Sequence, residues 1–191
     1  MEKLKNRILE EGLALGSDRI NVSGFVNHQI DTELMDEIGR EIAEKFSDVK
    51  VDKILTVEAS GIAVAIAAAK YFGFCPVVFA KKAKPNTMEE DVYCANAMSF
   101  TKQKSNDLIV SGKYLSEGEN VLIIDDFLAY GEASKALLSI AKDAGANVVG
   151  FGIVISKDFQ GGKKALENMG YRVVTMASVS AMEDGKITFA D

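Results

Sequence analysis

Residues 121–134 read Val-Leu-Ile-Ile-Asp-Asp-Phe-Leu-Ala-Tyr-Gly-Glu-Ala-Ser, so four apolar residues lead directly into two adjacent carboxylates. Such an apolar run predicts a strand buried on both faces of a parallel sheet, here residues 121–124. Adjacent carboxylates repel each other and are costly beside a core, so Asp125 and Asp126 should meet a cation or hydroxyl donors. Gly131 precedes a predicted helix, whose free N–H groups and dipole favour an anion. The stretch therefore predicts a site for a sugar phosphate with a bound divalent cation, unless the acids only cap the helix.

The segments around this stretch alternate between strand and helix patterns. The predicted strands are residues 53–57, 76–80, 121–124, 147–155 and 172–176. The predicted helices are residues 2–11, 32–46, 61–72, 132–144 and 161–169. This alternation indicates an α/β fold with a central, mostly parallel sheet flanked by helices. In such folds ligands bind at the carboxyl ends of the strands, which is where the two acids and Gly131 fall.

Residues 82–106 interrupt the alternation, because they are rich in Lys, Glu, Asp and Asn and show no clear period. A long irregular segment within a compact domain is often a functional lid. We therefore predict a mobile loop over the site, in which Ser99 and Lys102 are the residues of most interest. The alternative is a disordered surface insertion.

Length, composition and charge limit the class of protein. The chain has 191 residues and no linker, which suits one domain. Its net charge of -6 argues against a nucleic-acid partner, and one His excludes a multi-histidine metal centre. The most apolar stretch, residues 61–69, is too short to span a bilayer, and residues 1–11 are not an apolar signal peptide. Cys75 and Cys94 lack disulfide or zinc spacing. We expect a cytoplasmic protein with no membrane partner.

The 121–134 stretch resembles the substrate-binding motif of the type I phosphoribosyltransferases, in which a hydrophobic strand and two acids precede a phosphate loop. The resemblance implies that the chain has that fold, and that Asp125 and Asp126 are the catalytic acids that bind the ribose hydroxyls of phosphoribosyl diphosphate. It also implies a cradle for the 5-phosphate, formed by Ala129, Tyr130, Gly131, Glu132 and Ala133. Tyr130 and Ala133 stand where the family often has small hydroxyl residues, so the phosphate is left to backbone N–H groups, and Ser134 can compensate for the lost hydroxyl donors.

Two further segments resemble the family in the expected order. Val57-Glu-Ala-Ser-Gly-Ile62 is similar to the diphosphate loop of adenine-type members, and Phe79-Ala-Lys-Lys82 falls where the family places basic residues. The resemblance implies diphosphate binding by Glu58, Ala59, Ser60, Gly61, Lys81 and Lys82. Without it, the two lysines would be interpreted as solvated surface charges. It also implies a Mg²⁺ ion held by substrate oxygens, with no metal ligand directly from the protein.

The whole chain resembles the branch of this family that salvages xanthine in bacteria, through residues 25–31, 99–103, 122–129 and 152–160. The resemblance implies a homodimer, and a small hood over the base from about residues 1–35 and 157–191. It places Lys157 on the 6-oxo group and Asn27 near the 2-oxo group, with Ile20 and Phe159 against the ring. The chemistry agrees, because xanthine presents carbonyl oxygens and these two polar side chains offer N–H donors.

Two alternative functions remain open at this point. The chain could use adenine, since the loop at residues 58–61 is adenine-type. It could also use a 6-oxopurine other than xanthine. It could instead be a non-catalytic transcriptional regulator that binds phosphoribosyl diphosphate, although only about 50 residues precede the first core strand and no basic recognition helix is evident. No general base is predicted, because Ala129 stands where some purine relatives have Asp and xanthine is itself fairly acidic.

Overall fold

The computed structural model describes residues 1–83, 91–99 and 104–190. Within them are five α-helices: α1 Glu2–Glu11, α2 Thr32–Lys45, α3 Ser60–Ala69, α4 Glu132–Asp143 and α5 Gly162–Asn168. The β-strands there are β1 Leu13–Leu15, β2 Arg19–Asn21, β3 Lys53–Val57, β4 Val77–Ala80, β5 Val92–Ser99, β6 Lys104–Ser111, β7 Asn120–Leu128, β8 Asn147–Lys157, β9 Val173–Glu183 and β10 Lys186–Phe189. None of these helices combines the length and apolar character needed to cross a lipid bilayer.

Six of the strands form a central sheet in the order β10-β9-β8-β7-β3-β4. All neighbours in this sheet are parallel except β10, which pairs with β9 in the antiparallel sense. The direction of winding reverses between β3 and β7, because β4 lies on one side of β3 and the later strands lie on the other. The predicted α/β fold with a mostly parallel sheet is confirmed, and its switch point is where such folds bind ligands.

The sheet separates two hydrophobic cores, as expected for strands that are apolar throughout. Leu122 and Ile124 of β7 face the core that α1, α2 and α3 cover. Val121 and Ile123 alternate with them and face the core beneath α4 and α5. This alternation fixes the register of β7, because a slip of one residue would exchange its two faces.

A close contact between α2 and α3 predicts the effect of one stability variant. A Cβ atom on Gly39 would lie 2.6 Å from the carbonyl carbon of Ala67 and 2.7 Å from the amide nitrogen of Ala68. Ala at a free helical position stabilises, yet here backbone atoms block it. We expect Gly39→Ala to lower the free energy of unfolding in urea by about 1–3 kcal/mol. Gly24→Ala is the control, since its Cβ would meet no described atom within 4 Å. Equal free energies of unfolding for the two variants would contradict the close approach of Gly39 to the backbone of α3.

Several strands are longer than the sequence predicts. β7 continues to Leu128, so Asp125 and Asp126 lie within the strand and not after its end. Lys157, predicted just past its strand, is the last residue of β8. The reason is continued pairing, because β7 and β8 remain in register as far as Leu128 and Ser156. The predicted helix at 61–72 ends instead at Ala69 and continues as a short 3₁₀ turn.

The structure contradicts the prediction that residues 82–106 are irregular for the part of them that it describes, whereas the mobility of the segment stays a prediction. β5 and β6 form an antiparallel hairpin that pairs from Val92 with Ser111 to Ser99 with Lys104. Tyr93, Ala95 and Ala97 pack against the core on the α4 side, where Leu108 is buried. The alternation between buried and exposed side chains that marks a strand is weak in this part of the sequence, because many of the alternating residues are small or polar. Residues 84–90 and 100–103, including Lys102, lie outside the described residues.

Candidate active site

A cavity of about 310 Å³ opens at the carboxyl ends of β3, β7 and β8. This volume is typical of a small-molecule site, and the position is the switch point of the sheet. The cavity is lined by twelve of the predicted site residues: Glu58, Ser60, Gly61, Lys82, Asp125, Asp126, Ala129, Tyr130, Gly131, Glu132, Ala133 and Lys157. Ala97 and Leu108 of the β5–β6 hairpin form part of its wall. The twelve predicted residues therefore come from four separate segments of the chain and share one concave site.

The two acids are buried at the floor of the cavity. Asp125 is only 5% exposed, and its Oδ1 accepts a hydrogen bond of 2.9 Å from the backbone N–H of Asp126. Burial, reinforced by the charge of Asp126, raises the pKa of Asp125 well above its ordinary value. Asp126 Oδ2 accepts a hydrogen bond of 3.1 Å from Nδ2 of Asn27. The pair therefore has unused acceptor capacity that hydroxyl donors of a ligand can fill.

The loop after β3 brings the start of α3 against the acids. A Cβ atom on Gly61 would lie 2.1 Å from Thr56 Oγ1 and 3.1 Å from Asp125 Oδ1, so a larger residue there would displace the side chain of Thr56. Glu58 Oε1 accepts a hydrogen bond of 2.6 Å from the backbone N–H of Lys82. This bond ties the loop after β3 to the loop after β4. The start of α3, beside Lys82, offers free backbone N–H groups to an anion.

The loop at residues 129–133 forms the turn between β7 and α4. Gly131 has φ +85°, a left-handed conformation that glycine adopts at little cost. It directly precedes α4, a helix of 12 residues whose first N–H groups have no intrahelical partner. Ala129 O accepts a hydrogen bond of 3.0 Å from Gly162 N at the start of α5. The structure thus places a second helix N-terminus, a favourable position for an anion, beside the two acids.

The opposite end of the cavity is formed by the predicted residue Lys157 and by Asp18 and Gln160, which the sequence did not single out. Lys157 Nζ donates a hydrogen bond of 2.7 Å to the backbone carbonyl of Asp18, in the turn of the β1–β2 hairpin. Gln160 Nε2 donates to the same carbonyl at 3.4 Å, and its buried Oε1 has no partner among the described residues. Burial lowers the pKa of Lys157. Gly16, Ser17 and Asp18 are residue types that favour turns, a signal that could have indicated this hairpin, but no local pattern indicates that its tip lies on Lys157.

Five predicted site residues do not line the cavity: Ala59, Lys81, Ile20, Asn27 and Phe159. The backbone of Lys81 bridges to Ile109, and its Nζ lies 5.4 Å from the centre of the Phe79 ring. Ile20 packs against the core on the α1–α3 side. Phe159 lies in a 3₁₀ turn, with 41% of its surface exposed.

A buried acid pair, two helix N-termini and a switch-point cavity form a site whose chemistry suits a sugar that bears phosphate groups. The family model described as "Phosphoribosyl transferase domain" matches residues 27–180. The chain belongs to the phosphoribosyltransferase family, as its sequence predicts.

Similar proteins within that family include xanthine phosphoribosyltransferases. The chain is 48% identical to Xanthine phosphoribosyltransferase 1 of Clostridium perfringens over 189 residues, which cover 99% of this chain and 100% of the relative. It is 50% identical to the xanthine phosphoribosyltransferase of Pseudomonas syringae, with the same coverage. Its fold is similar to the adenine phosphoribosyltransferase of Rhodothermus marinus, with a TM-score of 0.74, 18% identity, and coverage of 93% of this chain and 99% of that chain.

Proposed function

We propose that this enzyme transfers the 5-phosphoribosyl group from phosphoribosyl diphosphate to xanthine, giving xanthosine 5′-monophosphate and diphosphate. The observation that carries the proposal is that the acid pair, the 129–133 loop and Lys157 line the same cavity. Relatives that share 46–50% of the sequence over nearly the whole chain act on xanthine by name. The adenine phosphoribosyltransferases share 18% identity in the example above, which supports the fold alone.

Each part of phosphoribosyl diphosphate, the donor substrate, has its own binding residues in the cavity. Asp125 and Asp126 accept hydrogen bonds from the ribose hydroxyls, which satisfies their unused lone pairs. Backbone N–H groups of the 129–133 loop and the start of α4 bind the 5-phosphate. The diphosphate lies at the loop of residues 58–61, beside Lys82. The roles of Ala59 and Lys81 in diphosphate binding stay predictions, because neither residue lines the cavity.

The residues of the cavity fit a Mg²⁺ ion that the substrate carries. Among the described residues there is no group of three or more His, Cys, Asp or Glu side chains arranged to hold a metal. The phosphate and hydroxyl oxygens of the substrate are hard donors of the kind that Mg²⁺ prefers, and the buried acid pair adds negative charge beside them without coordinating the ion directly. When bound, the ion offsets the negative charge that develops on the leaving diphosphate. The protein contributes the acid pair and the shape of the site.

Lys157 selects the base. Its ammonium donates one N–H to the Asp18 carbonyl and keeps two for an acceptor such as the 6-oxo group of xanthine. Adenine presents an amine at that position, which is a donor facing a donor. Asn27 has a second N–H besides the one bound to Asp126, and we propose that it serves the 2-oxo side. Ile20 and Phe159 remain predicted ring contacts.

The reaction breaks the bond between ribose C1 and the diphosphate oxygen, which leaves with the electron pair. A ring nitrogen of xanthine then forms the bond to C1 and loses its proton to solvent. The acid pair favours the positive charge that develops on the ribose, and both substrates are held in contact. Ala129 offers no proton acceptor, so we propose that the acidity of xanthine makes a dedicated base unnecessary.

We also propose that the chain functions as a homodimer in the cytoplasm. Symmetric pairs are the commonest assemblies of soluble enzymes. Ile66 and Phe74 are exposed apolar side chains that a partner subunit can cover. The free thiols of Cys75 and Cys94 suit a reducing compartment.

The proposed reaction predicts a strict order of purine substrates. Diphosphate release from phosphoribosyl diphosphate and Mg²⁺ should be fastest with xanthine, weaker with guanine and hypoxanthine, and lowest with adenine by about 10⁴-fold or more. A preference for adenine would contradict the role of Lys157 but not that of the acid pair. Binding of the donor without turnover of any purine would favour the regulator.

A further inference from the structure

The start of α5 lies directly against the backbone of the 129–133 loop. Gly162 N donates a hydrogen bond of 3.0 Å to Ala129 O. A Cβ atom on Gly162 would lie 2.3 Å from Ala129 O, 2.7 Å from Gly131 N and 2.8 Å from Tyr130 C. All three are backbone atoms, which cannot move aside as the end of a flexible side chain can. The loop therefore rests on a position where no side chain fits.

Gly162 is required for this contact and not for its own backbone conformation. Its neighbour Gly161 has φ +82°, where glycine is favoured, but a Cβ there would meet no described atom within 4 Å. Gly162 lies outside the left-handed region, so any residue can adopt its backbone angles. The two adjacent glycines thus separate two effects, backbone strain at Gly161 and close approach at Gly162.

When a side chain is added at Gly162, we expect the 129–133 loop to move and α5 to stay in place. Leu166 of α5 is fully buried in the core. Lys163 is held by an ion pair of 3.5 Å to Asp158, whose other oxygen accepts a hydrogen bond of 2.5 Å from Ser156 of β8. Tyr130 lies at the tip of the loop with 44% of its surface exposed, so this part of the loop is less enclosed than Leu166. The anchored helix therefore displaces the more exposed loop.

We propose that Gly162 is a positioning residue that sets the place of the 129–131 backbone, and so the affinity of the enzyme for the 5-phosphate. The proposal rests on the proposed function of this loop as the phosphate cradle. Ala129 and Ala133 offer no side-chain donors, so phosphate binding depends mainly on where the backbone N–H groups point. A displacement of about 1 Å in such a site can cost up to about 10²-fold.

Gly162→Ala tests the proposal, with Gly161→Ala as the matched control. Titration calorimetry on the full chain compares ribose 5-phosphate with inorganic diphosphate, which binds at the other cradle. We expect Gly162→Ala to weaken ribose 5-phosphate by about 10–100-fold and to leave diphosphate within about twofold. We expect the KM for phosphoribosyl diphosphate to rise more than the KM for xanthine. Gly161→Ala should lower the stability of the protein without changing the affinity for ribose 5-phosphate relative to that for diphosphate.

Unchanged affinity of Gly162→Ala for ribose 5-phosphate, or equal weakening of both ligands, would overturn the proposal. Failure of the unaltered enzyme to bind ribose 5-phosphate would instead overturn the proposed function of the loop. Amide hydrogen exchange on the unaltered enzyme gives a second test if the variant does not fold. Ribose 5-phosphate should slow exchange at Gly162 N–H, which is bonded to Ala129 O, whereas diphosphate should not. Equal protection by both ligands contradicts the inference.

Discussion

Replacing Asp125 with Asn is expected to lower kcat/KM for phosphoribosyl diphosphate by about 10²-fold or more, and at the same time to raise the Tm of the protein. The activity falls because an ionised acceptor of the ribose hydroxyls is lost, and hydrogen bonds to charged groups contribute about 1.5–3 kcal/mol each. The carboxylate also favours the positive charge that develops on the ribose in the transition state. Steady-state diphosphate release measures this loss.

The rise in Tm follows from the raised pKa of Asp125, whose first cause is burial and whose second is the charge of Asp126. At neutral pH the folded protein holds an ionised carboxyl less favourably than the unfolded chain does. This cost is present above the pKa of the unfolded Asp, near 3.8, and disappears as the pH falls below it. Asn keeps the carbonyl acceptor for the N–H of Asp126 and removes the charge. The gain in Tm should therefore be largest near pH 7 and shrink toward pH 4.

Asp143→Asn is the control for both effects, because this acid lies exposed in the last turn of α4, away from the cavity. Its Tm and kcat/KM should match those of the unaltered enzyme. A lower Tm for Asp125→Asn would show that the buried carboxylate stabilises the fold. If Asp125→Asn retains its activity, Asp125 does not bind the ribose hydroxyls.

The donor half of the site could be predicted because its residues are local to the ends of strands. The apolar run before Asp125 predicts the buried strand, and parallel pairing brings the carboxyl ends of β3 and β7 to one edge of the sheet. Turn chemistry at Gly131 adds the anion cradle without any knowledge of distant contacts. The same reliance on local pattern explains why the predicted strand ends too early. The two acids interrupt the apolar pattern, whereas the pairing of β7 with β8 continues to Leu128.

The base half could not be predicted in the same way, because it depends on contacts between distant segments. Asp18 and Lys157 are separated by 139 positions, and Asp18 and Gln160 by 142. β1 and β2 have only three residues each, too few to show a period. The β5–β6 hairpin alternates mainly through alanines, so its buried face carries little hydrophobic contrast. Gly162 could be read only as a helix start, since its role depends on where the 129–133 loop lies.

Lys157→Met is expected to reduce kcat/KM for xanthine by about 10²–10³-fold and to leave the KM for phosphoribosyl diphosphate nearly unchanged. Met has a similar length but offers no N–H donor, so the 6-oxo group loses a charge-assisted hydrogen bond in a site built to supply it. Turnover of adenine, which presents a donor at that position, should change little. The preference for xanthine over adenine therefore narrows. Initial rates with both bases measure it, and Lys164→Met, at an exposed lysine of α5, is the control.

The dependence on pH separates this role from a merely structural one. Burial lowers the pKa of Lys157 from its ordinary value of 10.5, so the ammonium form that the base requires is lost on the alkaline side below that pH. The unaltered enzyme should show this alkaline fall in kcat/KM for xanthine, and Lys157→Met should lack it. Ionisation of xanthine itself affects both enzymes equally. If the fall persists in the variant and selectivity is unchanged, Lys157 does not read the base and only anchors the β1–β2 hairpin through the Asp18 carbonyl.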